Sequence, residues 1–172
     1  KNDIFCNLIN YEYENNFINI KNILMNSKEV EKDDLFIAIR GGNKFIEEAL
    51  EKGAYVIYDD KEAQIKEKLK KRAFYVKDSI QFLQEFAEKW RENLNLKVIG
   101  ITGSNGKTTA KDMIYHLLSV KYKGKKTEGN YNNHIGLPFT LLCAEKDDDF
   151  IILEMGMSDF GEIDLLGKIS SP

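Results

Sequence analysis

The chain has 172 residues, 42% of them hydrophobic and 31% charged, and its 25 basic and 28 acidic side chains give a formal net charge of −3. This composition indicates one ordinary globular domain or two small ones, and it excludes collagen, a mainly disordered chain and a coiled coil. The charge balance argues against nucleic acid or an anionic membrane as a partner. Since the sequence shows no apolar run of membrane-spanning length, no secretion signal and only two distant cysteines, Cys6 and Cys143, we expect a cytoplasmic protein with reduced thiols.

The first half of the chain alternates short apolar runs with helical patterns. Strands are predicted at 35–39, 54–58 and 73–76, with a helix between the first two that ends near Gly53. The charged segment 61–72 mixes both signs, and we interpret it as a solvated helix face. Such an alternation of strands and helices predicts a small α/β domain.

A long amphipathic helix is predicted to close this first domain. Apolar side chains recur at three and four residues over 79–93, and a polar stretch then breaks the pattern. We therefore place a domain boundary near residue 95, which gives domains at 1–95 and 96–172.

The second domain is predicted to begin with a strand at 97–102, followed by a glycine-rich loop and an amphipathic helix. Residues 123–135 are polar and are predicted to form a loop, after which Pro138 opens a short helix. A buried strand at 150–154 and a last helix around 163–169 complete the pattern. The helix after the glycine-rich loop has four apolar side chains on its predicted core side, namely Met113, Ile114, Leu117 and Leu118.

The glycine-rich loop carries the strongest chemical signal. Its residues are Thr102, Gly103, Ser104, Asn105, Gly106, Lys107, Thr108 and Thr109. The glycines let the backbone turn tightly and aim N–H groups at phosphate oxygens, and the N-terminus of the next helix adds partial positive charge. Lys107 is placed to contact the β- and γ-phosphates, and Thr108 offers a hydroxyl to Mg²⁺. The loop is shorter than the common Walker form, because Ile101 stands where that form requires a glycine.

The alternative for this loop is a chance Gly-Lys-Thr in a surface turn. A strand before it and a helix after it disfavour that alternative, so the sequence predicts a nucleotide site. Glu154 ends an apolar strand, which is a position from which a carboxylate reaches a metal held near the phosphates. A carboxylate that merely ends a strand is the alternative, and the neighbouring loop favours the metal. On residue type alone, the asparagine cluster at 130–133 is typical of a turn.

Several stretches resemble motifs of one enzyme family. Residues 101–112 look like the ATP loop of the Mur ligases. Residues 129–138 and 154–158 are similar to two further motifs of the branch that adds D-alanyl-D-alanine to UDP-N-acetylmuramoyl-tripeptide. In the first domain, residues 26–28 and 34–39 resemble the part of these ligases that binds the uridine nucleotide.

This resemblance implies an α/β fold in two parts. A small α/β N-terminal domain that binds the UDP-muropeptide precedes the start of a P-loop-type parallel-sheet domain that binds ATP. The implied reaction begins with phosphorylation by ATP of the terminal carboxylate of UDP-N-acetylmuramoyl-tripeptide. The amine of D-alanyl-D-alanine then attacks the acyl phosphate, and phosphate leaves as the amide forms.

The resemblance also implies roles for individual residues of the second domain. By position, Lys107 contacts phosphate, and Thr108 and Glu154 bind Mg²⁺. Either Asn132 or Asn133 lies near the reacting groups.

In the first domain, the resemblance implies that Ser27 and Lys28 lie by the uridine diphosphate. Lys28 stands where the family has arginine, and lysine lacks the bidentate fork. At Lys44 the chain passes directly into the next helix, where the family has a longer loop, and the family's later histidine, carbamylated lysine and C-terminal domain have no counterpart. We therefore expect these 172 residues to be less than a complete catalytic unit. The full-length enzyme is expected to be a monomer.

Three alternatives remain open at the level of the sequence. The nearest is another Mur-type or folylpolyglutamate-type ATP-dependent ligase. A P-loop kinase or GTPase is a second, although the Asn-Lys-x-Asp guanine motif of a GTPase does not occur in the sequence. The third is a nucleotide-binding fragment without catalytic activity.

Overall fold

The computed structural model describes residues 1–10 and 18–172, which form a mixed α/β fold with parallel sheets, as predicted. The chain divides into two compact units, Lys1–Leu83 and Gln84–Pro172. This division falls within the helix predicted at 79–93. The domain boundary that we placed just after that helix stays a prediction.

The first unit contains a four-stranded sheet in the order β1-β2-β3-β4, in which every neighbouring pair is parallel. Its elements are α1 (Asn2–Leu8), β1 (Ile23–Leu24), β2 (Leu35–Ile37), a 3₁₀ helix (Gly42–Phe45), α2 (Ile46–Glu51), β3 (Tyr55–Tyr58), a 3₁₀ helix (Glu67–Arg72) and β4 (Ala73–Tyr75). Parallel strands covered on both faces consist of unbroken apolar runs, which explains why β2 and β3 were visible in the sequence.

The core of this unit lies on the two central strands. Phe36 and Val56 are almost fully buried, and they belong to one cluster with Ala49 and Leu50 of α2. Gly53 follows the end of α2 with a φ of +85°, and its N–H donates to the Leu50 carbonyl, as expected of a residue that ends a helix.

The α-helix predicted within 61–72 is wrong. The segment instead contains a 3₁₀ helix over Glu67–Arg72 only. Its apolar residues pack against the core cluster, but the spacing from Ala63 to Ile65 is two residues, which does not keep both on one α-helical face. Arg72 then anchors the segment, since its Nη1 donates to Asp33 Oδ1 at 2.9 Å just before β4 begins.

The second unit is built on a three-stranded parallel sheet in the order β5-β7-β6. The remaining elements, beginning with the helix in which the division falls, are α3 (Ser79–Glu92), β5 (Lys97–Ile101), α4 (Lys107–Ser119), β6 (Gly124–Lys126), α5 (Gly136–Cys143), β7 (Phe150–Glu154) and α6 (Glu162–Ser170). All five residues of the central strand β7 are buried. The side chain of Trp90 on α3 joins this unit by donating to the Ala144 carbonyl at 3.0 Å.

Strand β6 lies inside the segment 123–135 that was predicted to be a loop, so that prediction is wrong for Gly124–Lys126. The sequence Gly-Lys-Lys has no apolar pattern because β6 is an edge strand, where charged side chains are common. Close packing also requires a glycine here, because a Cβ on Gly124 would lie 2.5 Å from the ring of Phe150.

Helix α4 begins at Lys107 as predicted, but only two of its four predicted core residues face the interior. Met113 and Leu117 are 62% and 71% exposed, whereas Ile114 and Leu118 are half-buried. The fully buried side chain of α4 is Lys111.

Helix α5 begins at Gly136, two residues before the predicted start, so that Pro138 lies in its first turn, where proline costs no hydrogen bond. Among residues 1–10 and 18–172, no helix combines the length and the apolar character needed to cross a membrane.

Candidate functional site

The phosphate-binding loop predicted from the sequence lies between the end of β5 and the start of α4. Gly103 and Gly106 have φ angles of +142° and +77°, in the region that favours glycine, and Gly106 immediately precedes the helix. The residues between them, Ser104 and Asn105, are exposed, as are Thr102 and Thr109 at the two ends of the predicted loop. The backbone N–H groups at the start of α4 therefore lie next to a solvent-exposed loop. This arrangement is typical of an anion-binding site.

Lys107 folds back over this loop. Its Nζ donates to the Gly103 carbonyl at 2.7 Å, and the side chain is only partly buried. An ammonium has three N–H donors, so this bond leaves donors for a phosphate oxygen.

The Glu154 carboxylate stands beside the loop because of the sheet register. Ile101, the last residue of β5, pairs with Glu154, the last residue of β7, and parallel strands present their carboxyl ends at one edge. The side chain is buried, and both oxygens accept hydrogen bonds: Oε2 from Thr108 Oγ1 and Oε1 from Asn132 Nδ2, each at 3.0 Å. Thr108, Asn132 and Glu154, which are far apart in sequence, thus meet as one cluster.

This cluster has the donor chemistry that Mg²⁺ prefers. Mg²⁺ takes hard oxygen ligands and is commonly held by one or two carboxylates together with substrate phosphates. The Thr108 hydroxyl and the Glu154 carboxylate are such oxygens, and they are in contact beside the phosphate loop. The residues present therefore fit the predicted metal, and the assignment of Thr108 and Glu154 as its ligands stays a prediction.

The neighbouring strand and loop fix the backbone on both sides of this carboxylate. The Glu154 N–H donates to Thr127 Oγ1 at 2.9 Å, and the fully buried Thr127 follows β6. The Asn132 carbonyl accepts from the Gly156 N–H at 2.7 Å. The asparagine stretch and the loop after β7 are therefore joined through their backbones as well as through the Asn132–Glu154 bond.

Asn133 occupies a different place from Asn132. Its Oδ1 accepts hydrogen bonds from the backbone N–H groups of Ile135 at 3.0 Å and Gly136 at 2.9 Å, at the start of α5. The structure thus brings Asn132 into contact with Glu154, while the side chain of Asn133 holds the turn that leads into the helix.

Sequence reasoning missed a buried cation in this site. Lys111 is one turn beyond Lys107 on α4, and its Nζ lies 3.8 Å from Glu154 Oε2 and 3.8 Å from Asp112 Oδ1. Lys126 Nζ in turn donates to Asp112 at 2.7 Å, a bond that lowers the pKa of Asp112 and raises the pKa of Lys126. The signal in the sequence is the spacing, since residues three and four apart share a helix face.

Ser27 and Lys28 belong to the first unit, in the turn that follows β1. Ser27 is 5% exposed, and its carbonyl accepts from Lys52 Nζ at 2.8 Å, whereas Lys28 is exposed. Because Lys28 is exposed, its side chain is accessible to a charged ligand, whereas the side chain of Ser27 is not. Their predicted contact with the uridine diphosphate stays a prediction.

Comparison with known proteins gives two matches to family models. The model described as "Mur ligase family, catalytic domain" matches residues 19–91, and the model described as "Mur ligase middle domain" matches residues 101–172. The second match begins at the last residue of β5 and contains the phosphate loop, the asparagine stretch and Glu154.

Individual relatives agree with the family models. The chain is 41% identical over 170 residues to the UDP-N-acetylmuramoyl-tripeptide–D-alanyl-D-alanine ligase of Bacillus subtilis, covering 96% of this chain and 36% of that protein. It is 40% identical over 160 residues to the ligase of the same name from Synechocystis, covering 90% of this chain and 35% of that protein. The chain therefore spans little more than a third of the length of these relatives.

A solved structure supports the same relationship. The chain superposes on the MurF ligase of Thermotoga maritima in complex with ADP with a TM-score of 0.77 and 38% identity, covering 90% of this chain and 36% of that one. Together with the two family models, these matches account for both units, and the chain belongs to the Mur ligase family.

Proposed function

We propose that the full-length version of this protein is an ATP-dependent amide ligase that joins D-alanyl-D-alanine to UDP-N-acetylmuramoyl-tripeptide in peptidoglycan precursor synthesis. The observation that carries this proposal is the contact of Thr108 and Asn132 with the Glu154 carboxylate beside the phosphate loop. A loop for phosphates and oxygens for a cation are what phosphoryl transfer from ATP requires. The names of the relatives supply the substrates.

The loop residues 102–109 hold the phosphates of ATP in this proposal. The backbone N–H groups at the start of α4 and the Lys107 ammonium stabilise the negative charge that develops on the transferring phosphoryl group. Thr108 and Glu154 would hold Mg²⁺, which when bound would supply positive charge to offset the charge of the phosphates. Catalysis at this end of the site is thus positioning and electrostatic stabilisation by fixed groups.

The reaction then proceeds on the substrate. The γ-phosphoryl group moves to the terminal carboxylate of the tripeptide, which yields ADP and an acyl phosphate. The amine nitrogen of D-alanyl-D-alanine attacks the acyl carbon, phosphate leaves, and the nitrogen loses a proton as the amide forms. Asn132 is held near the reacting groups by its hydrogen bond to Glu154. Asn133 contributes indirectly, because its hydrogen bonds fix the turn next to Asn132.

The first domain, residues 1–95, holds the UDP end of the substrate in this proposal. Ser27 and the exposed Lys28 lie by the diphosphate, where lysine supplies a point charge rather than a bidentate fork. The substrates are soluble nucleotides and a dipeptide. We accordingly place the enzyme in the cytoplasm, without nucleic acid or membrane as a partner, and we keep the expectation of a monomer.

A second candidate from the same family has its own support. The chain is 39% identical over 137 residues to the UDP-N-acetylmuramoyl-L-alanyl-D-glutamate–2,6-diaminopimelate ligase of Clostridium tetani. That alignment covers 76% of this chain. The two candidates use the same ATP chemistry and differ in their acceptor and amine.

A coupled phosphate-release assay on the full-length protein distinguishes the two. We expect phosphate release with ATP, UDP-N-acetylmuramoyl-tripeptide and D-alanyl-D-alanine together, and background release when any one is omitted. Release with UDP-N-acetylmuramoyl-L-alanyl-D-glutamate and diaminopimelate instead would support the second candidate. Release with neither pair would reject both.

A further inference from the structure

Lys111 is a buried charge that the proposed chemistry does not use. Its side chain is 4% exposed, and that of Glu154, its partner at 3.8 Å, is 5% exposed. An ammonium is costly to bury unless an opposite charge accompanies it. The carboxylate that we assign to Mg²⁺ is therefore the buried partner that offsets the charge of Lys111.

Lys111 belongs to a row of four charged groups that alternate in sign. Glu154 and Asp112 each lie 3.8 Å from the Lys111 ammonium, and Lys126 closes the row at 2.7 Å from Asp112. The four charges sum to zero. Lys107 on the exposed loop and Glu128 near Lys126 add one charge of each sign. The surroundings of Glu154 therefore lack the excess of acidic groups that a site for a free divalent cation usually has.

We propose that Lys111 makes Mg²⁺ binding depend on the nucleotide, an inference that rests on the ATP site proposed above. A cation placed on Glu154 Oε2 meets an ammonium only a few ångströms away, in surroundings where charge repulsion is poorly screened. The phosphates of ATP bring several negative charges, and their attraction for the cation exceeds its repulsion by Lys111. The cation is therefore held only together with the nucleotide, and an empty site stays free of metal.

Three further contacts make this role specific to Lys111. Thr108 and Asn132 are neutral donors to the same carboxylate, so they orient Glu154 without offsetting its charge. Lys107 Nζ bonds to the Gly103 carbonyl. Among the described residues, Lys111 is the cation that forms an ion pair with Glu154.

The test measures binding of Mn²⁺, a paramagnetic stand-in for Mg²⁺, by electron paramagnetic resonance on the full-length protein at pH 8. After the Mn²⁺ held by free ADP in a matched titration without protein is subtracted, we expect wild-type protein to bind Mn²⁺ at least about 100-fold more weakly without ADP than with ADP. In Lys111→Met, which removes the charge and keeps a similar volume, affinity for Mn²⁺ without ADP should rise at least about tenfold.

Three further variants separate charge from structure. Lys111→Arg keeps the charge and should bind Mn²⁺ as the wild type does. Lys146→Met changes the net charge equally at an exposed position and should leave the Mn²⁺ affinity unchanged. Lys111→Gln is a second neutral variant that keeps an N–H donor, and it replaces Lys111→Met if circular dichroism shows that the latter does not fold.

The outcomes distinguish this inference from the proposed function. Neutral variants that bind free Mn²⁺ no more tightly than Lys146→Met overturn the role of Lys111. Wild-type protein that binds Mn²⁺ equally well with and without ADP overturns it too. A folded wild-type protein that does not bind ADP at all overturns the proposed function, and the present inference with it.

Discussion

The phosphate loop and the charged cluster behind it are adjacent but are built in opposite ways. The loop is exposed, and its shape follows from local backbone conformation at two glycines. The cluster around Glu154 is buried and is assembled from α4, the end of β7 and the asparagine stretch. A change in the loop should therefore alter chemistry without altering stability, whereas a change in the cluster should alter both.

Replacing Lys107 with alanine should give the largest loss of activity while leaving the stability of the protein almost unchanged. The side chain is partly exposed and bonds to Gly103 of its own loop. We expect ligase turnover to fall by about 10³-fold or more, because a preorganised charge at the γ-phosphate is lost. The melting temperature should shift by no more than about 2 °C. Near-normal turnover would contradict the assignment of the loop.

Replacing Glu154 with alanine should lower activity and stability together. The substitution leaves the buried Lys111 ammonium with only the half-exposed Asp112 carboxylate at 3.8 Å. Loss of the buried partner should cost about 3 kcal/mol in the free energy of unfolding measured with urea. Glu154→Gln is the matched control for shape, and it should fold better than Glu154→Ala while losing turnover. A stable Glu154→Ala protein would show that the cluster is not buried as described.

Replacing Asn133 with alanine should give the smallest effect. Loss of the two hydrogen bonds to the Ile135 and Gly136 N–H groups should cost about 1 kcal/mol of stability. We expect turnover to fall less than in Asn132→Ala, since Asn132 contacts Glu154 directly. Turnover equally low in both variants, measured well below the melting temperature, would give Asn133 a direct catalytic role.

Features that depend on local sequence could be predicted, and features that depend on contacts between distant residues could not. The buried strands β2, β3 and β7 were predictable because each is an unbroken apolar run, and the loop because its residues are contiguous. Strand β6 was missed since an edge strand of Gly-Lys-Lys is stabilised by its partner rather than by its own pattern. Lys111 was missed because its burial depends on Glu154, which is 43 positions further along the chain. The asparagine stretch was resolved into two roles only by its contacts.

The pairing of Ile101 with Glu154 limits where residues can be inserted into this part of the chain. Shifting β7 by one residue would turn the Glu154 side chain to the opposite face of the sheet, away from Thr108. An inserted residue within β7 should therefore abolish the cluster. The exposed residues 145–147, in the turn that precedes β7, can absorb an inserted residue by bulging into solvent. Natural and engineered insertions should accordingly accumulate at the amino end of this strand and be absent at its carboxyl end.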